Sequence, residues 1–285
     1  MPSTLGSLLA HVRRTLTDAG LPDAALDARL LIEHVTATSR TDAVTDPDRE
    51  VPAGQVAAVL AALDRRIGGE PIHRIIGSRE FYGLNLRLSA ETLEPRPDTE
   101  ALVDLVLPLV RAVAGRHGAC TILDMGTGTG AIALALLSEE PRATAVASDI
   151  SADALATASA NANMTGNAGR FTTVRSDWYQ AIEGRFHIIV SNPPYIASRE
   201  IEFLEREVRD HDPLAALDGG PDGLDPYRAI AAGARHYLRE DGHVAVEVGY
   251  DQADAVRAIF EKHGLVFVAS RHDLGGHERA LLFAA

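Results

Sequence analysis

Apolar residues recur along the chain with two different periods, and the change of period divides it. From residue 4 to residue 65 the spacing is helical. Leu5, Leu8, Leu9, Val12 and Leu16 form one stripe, Leu26, Leu30, Leu31 and Val35 a second, and Val56, Val59, Leu60 and Leu63 a third. A break falls at 42–47, ending on Pro47. These stripes predict the core faces of a small helical bundle, with no catalytic constellation on them. Gly68-Gly69-Glu70-Pro71 then punctuates the chain, and Ile72 to Leu88 has β character. Gly77 sits between two apolar pairs, and Leu84, Leu86 and Leu88 alternate, which predicts a β-hairpin. The expected organisation is a helical region at 1–70, a hairpin linker at 71–94 and a larger domain at 95–285.

That larger domain opens on Pro95-Arg96-Pro97-Asp98-Thr99-Glu100, which has the form of a helix start with Asp98 or Thr99 near the cap. The helix is expected to run toward Val113, and Pro108 to kink or split it. Strand and helix alternate from there on, the pattern of a doubly wound α/β domain. Strands are predicted at 121–125, 144–148, 171–174 and 187–191, with helices at 131–137 and 150–164.

Composition narrows the class. With 285 residues, 46% of them hydrophobic and 24% charged, the chain has the profile of a soluble globular protein of one or two domains. Its net charge of −13 opposes non-specific attraction to nucleic-acid backbone, which depends on Lys and Arg neutralising phosphates. Cys120 is the only cysteine, so an intramolecular disulfide and a cysteine-based zinc site are both excluded and a reducing compartment is expected. Arg13-Arg14 interrupts the first apolar stretch, which argues against a signal peptide, and no apolar run approaches the roughly 20 residues of a membrane span.

The candidate chemistry gathers at strand ends. The stretch 187–195 begins with apolar β-formers and stops at Asn192-Pro193-Pro194-Tyr195. Each proline holds the residue before it extended. The result is a rigid ledge with two oxygen acceptors, at Asn192 and Pro193, beside the flat ring of Tyr195. Such a ledge suits a planar group bearing an NH2, a carboxamide or an amino-purine; taken alone it could equally be a strand followed by a Pro-Pro turn. Gly126-Thr127-Gly128-Thr129-Gly130 follows the 121–125 strand and opens a helix, so backbone there can approach a ligand closely. The spacing is tighter than that of the dinucleotide enzymes. Asp149 ends the next strand, where an acid can accept from both hydroxyls of a ribose or simply cap a helix. Together the three features lie at the carboxyl ends of parallel strands, where open α/β sheets bind ligands.

The set of motifs resembles the S-adenosylmethionine-dependent methyltransferases, and Asn192-Pro193-Pro194-Tyr195 resembles those acting on amino nitrogens of amides or adenines. Gly69-Glu70-Pro71, 79–83 (Arg-Glu-Phe-Tyr-Gly), 95–100, 219–224 and Glu247-x-Gly249 narrow the resemblance to the HemK/PrmC family, the glutamine N5-methyltransferases of class I peptide-chain release factors. It covers nearly the whole chain. Glu94 departs from the pattern, in which an aliphatic residue is usual.

This resemblance implies a Rossmann-like sheet of seven strands in the order 3-2-1-4-5-7-6, behind a helical N-terminal domain that recognises substrate. A helix at 227–238, a strand at 244–248, a helix at 252–263 and a closing antiparallel pair at 265–269 and 280–283 fit it. It implies S-adenosyl-L-methionine as cofactor and S-adenosyl-L-homocysteine as product. Gly126, Thr127, Gly128, Thr129 and Gly130 would contact the cofactor, Asp149 its ribose, and Asp177 and Trp178 its adenine. Asn192 and Pro193 would accept the two N–H bonds of the target glutamine while Tyr195 holds the amide plane. No general base and no metal are implied, His187 is expected to be a strand residue, Arg96 is expected to enter the cofactor pocket with its role open, and His211 stays open. The partner would be a release factor, with no direct nucleic acid and no membrane, and the protein a cytoplasmic monomer. Methylation of a ribosomal-protein glutamine, of DNA adenine, or an idle cofactor-binding module are the alternatives.

Overall fold

The computed structural model describes residues 3–285. The chain divides into two compact units, the first ending at Ser78 and the second spanning Arg79–Ala285.

The first unit is helical: α1 (Leu5–Asp18), α2 (Ala24–Thr36), α3 (Asp42–Thr45), α4 (Ala53–Ile67) and α5 (Ile72–Ile76). Thr4 and Ser7 form a reciprocal capping box at the start of α1. The predicted stripes become its core, with Leu5, Leu8, Val12, Leu31, Val59 and Leu63 all buried together. One ion pair lies inside it, Arg66 to Asp27 at 2.6 Å. The β character expected from Ile72 onward is corrected here. Residues 72–76 are helical, because Ile72 and Ile75 both enter this core. Two residues three apart share a face on a helix and fall on opposite faces of a strand. Gly77, at φ 78°, ends the turn.

The second unit opens with the hairpin β1 (Ser78–Phe81) and β2 (Leu84–Arg87). Tyr82 takes φ 51° at its turn, and is held by its N–H donating to Glu100 (3.1 Å) and its hydroxyl to Asp104 (2.9 Å). A single 3-10 turn, Pro97–Thr99, leads into α6 (Glu100–His117). Pro108 does not split this helix. It lies on the exposed side, where water can meet the carbonyl it leaves unpaired.

There follow β3 (Cys120–Met125), α7 (Ala131–Glu139), β4 (Ala143–Asp149), α8 (Ala152–Met164), β5 (Phe171–Arg175) and β6 (Phe186–Ser191). The chain ends with α9 (Arg206–His211), α10 (Asp225–Tyr237), β7 (Leu238–Glu247), α11 (Ala253–Lys262), β8 (Val266–His272) and β9 (Glu278–Ala284). The sheet order is β5-β4-β3-β6-β7-β9-β8, which is 3-2-1-4-5-7-6 counted from β3, as expected. Only β9 runs antiparallel to its neighbours. Alternate residues of the central strands enter opposite layers. Ile122, Ile188 and Val190 pack with α6 and α7, while Leu123, Met125 and Ile189 pack with α10 and α11. Among the described residues no helix is long and apolar enough to cross a membrane.

Candidate active site

The topology sets the ends of β4, β3 and β6 side by side, and the glycine loop leaves β3 there. Gly126 and Gly128 have φ of 67° and 54°, which side-chain-bearing residues rarely adopt. A Cβ added at either would meet no protein atom within 4 Å. The space in front of the loop is therefore open to a ligand. Asp124 braces the loop from behind, its Oδ2 accepting from the Thr127 hydroxyl (2.7 Å) and the Ala133 N–H (3.3 Å). Burial pushes the Asp124 carboxyl up to about 6, against those two hydrogen bonds. At the tip of β4, Asp149 Oδ2 accepts from the Gly128 N–H and Oδ1 from the Ser151 N–H, both at 2.9 Å. Burial raises its pKa as well, more than these bonds lower it.

Loop and acid face a cavity of about 830 Å3, large enough for a nucleoside with a short tail. Residues 126–129, Asp149, Trp178, Asn192 and Pro194 line it. Four other expected site residues do not. Gly130 starts α7, where a Cβ would sit 3.1 Å from Leu134. Asp177 is exposed and bound by the Gln180 amide (2.9 Å), and Arg175 and Ser176 take its place on the wall. Pro193 and Tyr195 are not among the lining residues, although their neighbours Asn192 and Pro194 are. Trp178 holds φ 46° with the Ser176 hydroxyl donating to its carbonyl (2.8 Å), a strained backbone for an aromatic residue.

The ledge after β6 is clamped from several directions. The Asn192 side-chain amide donates to the Thr99 hydroxyl at 3.2 Å. Thr99, expected as a helix cap, makes no side-chain cap hydrogen bond and turns to Asn192 instead. Behind the ledge, Ile196 N–H donates to Leu217 O (3.0 Å) and Gly219 N–H to Ile196 O (2.8 Å). A Cβ on Gly219 would fall 2.9 Å from Pro194 O, and one on Gly223 2.4 Å from Tyr195 O. The glycines of 219–224 thus permit two backbones to touch. Burial lifts the Tyr195 phenol to about 12, so it stays neutral. At the end of β7, the Glu247 side chain is buried. Burial pushes it up to about 7, opposed by the neighbouring Arg279 guanidinium and by the polar side chains of Thr99 and Asn192.

Of one further wall, sequence reasoning placed only Arg96, which lines the cavity as expected. Leu93, Pro95, Arg96 and Thr99 line the cavity from before α6, and Pro213 to Ala216 from a turn after α9. Arg96 Nη2 reaches Asp212 at 2.6 Å and ties these two segments together. In the 95–100 motif only Arg96 was expected at the pocket, Thr99 being read as a cap; Pro213 to Ala216 carried no signal at all. Glu94, the departure from the family pattern, is buried and ion-paired with Arg79. His187 is a strand residue whose Nδ1 accepts from the Thr121 N–H (3.0 Å), and His211 does not line the cavity. No group of His, Cys, Asp and Glu suited to a metal occurs among the described residues.

Comparison with known proteins points the same way. Residues 7–77 match the family model of the PrmC N-terminal domain, and residues 107–208 that of the methyltransferase small domain. A release factor glutamine methyltransferase of Agrobacterium fabrum is 53% identical over 281 residues, covering 99% of this chain and 97% of the relative. One from Caulobacter vibrioides is 41% identical over 283 residues, covering 99% and 96%. Among solved structures, the hMettl16 catalytic domain in complex with the MAT2A 3′UTR hairpin 6 aligns with a TM-score of 0.54 at 14% identity, over 83% of this chain and 84% of that one. A methyltransferase from Pyrococcus furiosus aligns with a TM-score of 0.52 at 17% identity, over 71% and 89%. At that identity the likeness is one of fold.

Proposed function

The chain belongs to the family of release factor glutamine methyltransferases, and on that premise we propose that it methylates the side-chain nitrogen of the glutamine in the Gly-Gly-Gln loop of a class I release factor, using S-adenosyl-L-methionine. The observation that carries the reading is the shared cavity. The open glycine loop, Asp149 and the Asn192 ledge meet on one wall system. The residues fit the cofactor. Gly126 and Gly128 leave room at the backbone, Asp149 offers a carboxylate to the ribose hydroxyls, and Trp178 an aromatic face to the adenine. When bound, the cofactor supplies an electrophilic methyl group on a sulfonium.

A carboxamide nitrogen is a poor nucleophile, because its lone pair is delocalised into the carbonyl. The protein's contribution is therefore orientation, worth on the order of 7–11 kcal/mol in well-aligned reactions. Asn192 Oδ1 and the Pro193 carbonyl would accept the two N–H bonds of the glutamine and favour the positive charge that builds on its nitrogen. Tyr195, neutral and held from behind, keeps the amide plane in place. The helical first unit is assigned to recognising the release factor, and the site of action to the cytoplasm.

The test is incubation of the protein with labelled cofactor and a purified release factor, followed by mass spectrometry of tryptic peptides. A single methyl on the glutamine of the Gly-Gly-Gln loop is expected. Label on a ribosomal protein or on DNA, with the release factor untouched, overturns the assignment.

A further inference from the structure

Two of the sequence motifs, Glu247-x-Gly249 and 219–224, converge on a side chain that belongs to neither. Gln252 occupies the position before α11, where a short polar side chain would ordinarily cap the helix. It makes no cap hydrogen bond. Its amide bridges three other segments instead. Oε1 accepts from the Gly249 N–H (3.1 Å) in the turn after β7. Nε2 donates to the Tyr195 carbonyl (2.9 Å) on the ledge and, at 3.4 Å, to the Gly223 carbonyl before α10. The glycines of both motifs make room for it. A Cβ on Gly249 would lie 2.8 Å from Oε1, and one on Gly223 2.7 Å from Nε2. The amide has one workable orientation, because inverting it sets oxygen against two carbonyls and N–H against N–H.

We propose that Gln252 is a positioning residue for methyl transfer, which pins the far end of the ledge so that Asn192 and Pro193 stay aimed at the target nitrogen. The proposal rests on the reading of the site as a glutamine methyltransferase. Proline fixes φ at 193 and at 194, so the ledge moves as a stiff unit. Its near end continues from β6, where Ser191 pairs with both β3 and β7. Its far end is the peptide joining Tyr195 to Ile196, which is held on both sides. The Ile196 N–H donates to Leu217 O (3.0 Å), and the Tyr195 carbonyl accepts from Gln252.

The brace has its own support. Arg279, held by Asp273 at 2.8 Å, donates to the Val248 carbonyl (3.1 Å) and steadies the turn that carries Gly249. Loss of the Gln252 amide leaves the bond from Ile196 to Leu217 in place, so the ledge stays folded and gains a pivot. A shift of its acceptors by about 1 Å is enough to cost on the order of 10²-fold in rate. The cofactor wall is separate, since residues 126–129 and Asp149 line the cavity and Gln252 does not.

Two variants test this. Gln252→Met keeps the length and loses both hydrogen-bonding ends. Gln252→Glu keeps an acceptor for Gly249 but, when ionised, has nothing to donate to Tyr195. Its protonated form does, through the carboxyl O–H, while the other oxygen still accepts from Gly249. In turnover with a release factor at about pH 8, both should lose about 10- to 100-fold in kcat, with KM for the cofactor held within about twofold. Lowering the pH to about 5.5 should raise the Gln252→Glu rate relative to wild type by about fivefold or more, since a carboxyl crowded by two carbonyls titrates above the ordinary ~4.3. The Gln252→Met ratio should stay flat. A substrate-free arm reads the ledge itself. In 15N spectra the Ile196 N–H, which shares a peptide with the Tyr195 carbonyl, and the Asn192 side-chain amide should shift in Gln252→Met, while the Gly126 and Gly128 N–H signals hold still. Unmoved ledge signals, a Met variant with wild-type kcat, or a Glu variant with a ratio as flat as that of the Met variant overturns the role of Gln252. A wild type that leaves the release factor unmethylated strikes the functional reading instead, and the spectra still decide whether Gln252 holds the ledge.

Discussion

Gln252 and Tyr195, 57 residues apart, are joined by a 2.9 Å hydrogen bond from the Gln252 amide to the Tyr195 carbonyl. Gly223 fills the space beside both, since a Cβ there would lie 2.4 Å from Tyr195 O and 2.7 Å from Gln252 Nε2. Its φ is also positive, at 74°. Gly223→Ala should therefore drive a wedge into this contact and strain the backbone, costing roughly 1–3 kcal/mol. The useful comparison is Gly166→Ala, at φ 73° with nothing within 4 Å of its Cβ, which bears the strain alone. Thermal unfolding and turnover of the two variants separate the effects. Equal losses of activity would show that the close approach behind Tyr195 does not matter.

Removing the Asn192 side chain should silence the reaction without unfolding the protein. Asn192→Ala is expected to lose about 10²–10³ in turnover. Its melting temperature should stay near the wild-type value, because the side chain faces a cavity. Asn192→Asp keeps an acceptor but puts a charge beside the cofactor sulfonium and opposite Glu247. It should bind cofactor and still turn over slowly, since contacts felt equally in the ground and transition states do not accelerate chemistry. Labelled-methyl incorporation near wild type in the Ala variant would count against the ledge.

Asp149 carries the cofactor prediction. Asp149→Ala removes charge-assisted acceptors worth roughly 1.5–3 kcal/mol, so titration calorimetry should show cofactor binding weaker by about 10- to 150-fold. The carboxylate is the accepting form, and burial raises its pKa. Wild-type affinity should consequently fall as pH drops through that raised value, and the Ala variant should not share the decline. A pH-independent wild-type affinity would argue that the ribose is held elsewhere.

Stability should fall as pH rises from the acid range toward neutrality, for a related reason. Asp124 and Glu247 are pushed by burial up to about 6 and about 7, above the ordinary carboxylate range. Between about pH 4 and 7 the native state keeps protons that the unfolded chain releases, so unfolding free energy decreases as pH rises through that window. Each group contributes on the order of 3 kcal/mol to the change. Scanning calorimetry across the window should show Tm declining by several degrees. The Asp124→Asn, Glu247→Gln double variant should flatten that decline. An unchanged slope would mean that other groups set it.

Much of this site is written locally. The loop from Gly126 to Gly130 follows an apolar strand, and Asn192-Pro193-Pro194-Tyr195 interrupts another, so period and punctuation place both at strand ends. Asp149 follows from the same logic. Thr99 did not, because helix-start chemistry and a hydroxyl turned toward Asn192 look alike in sequence. The 72–76 helix was hidden by isoleucines, which suit either period over so few residues. Pro213 to Ala216 became a cavity wall through the Arg96–Asp212 pair. That pairing across 116 residues is set by tertiary packing, and no local pattern encodes it. Asp177 illustrates the reverse error. Its place after β5 was right, but the turn points its carboxylate outward to Gln180.

The residues on the cavity wall all lie between Glu91 and Ala216, whereas the contacts that brace the ledge, Thr99 apart, come from Leu217 to Arg279. On a chain made from its N-terminus, the binding pocket for the methyl donor is written before the clamp that aims the acceptor. A nascent protein halted at Ala216 would hold every wall residue and lack Gly219, Gly223, Glu247, Gln252 and Arg279. The proposed donor pocket thus precedes the proposed acceptor clamp along the chain, and β9, which follows both, brings Arg279 to the electrostatic surroundings of Glu247.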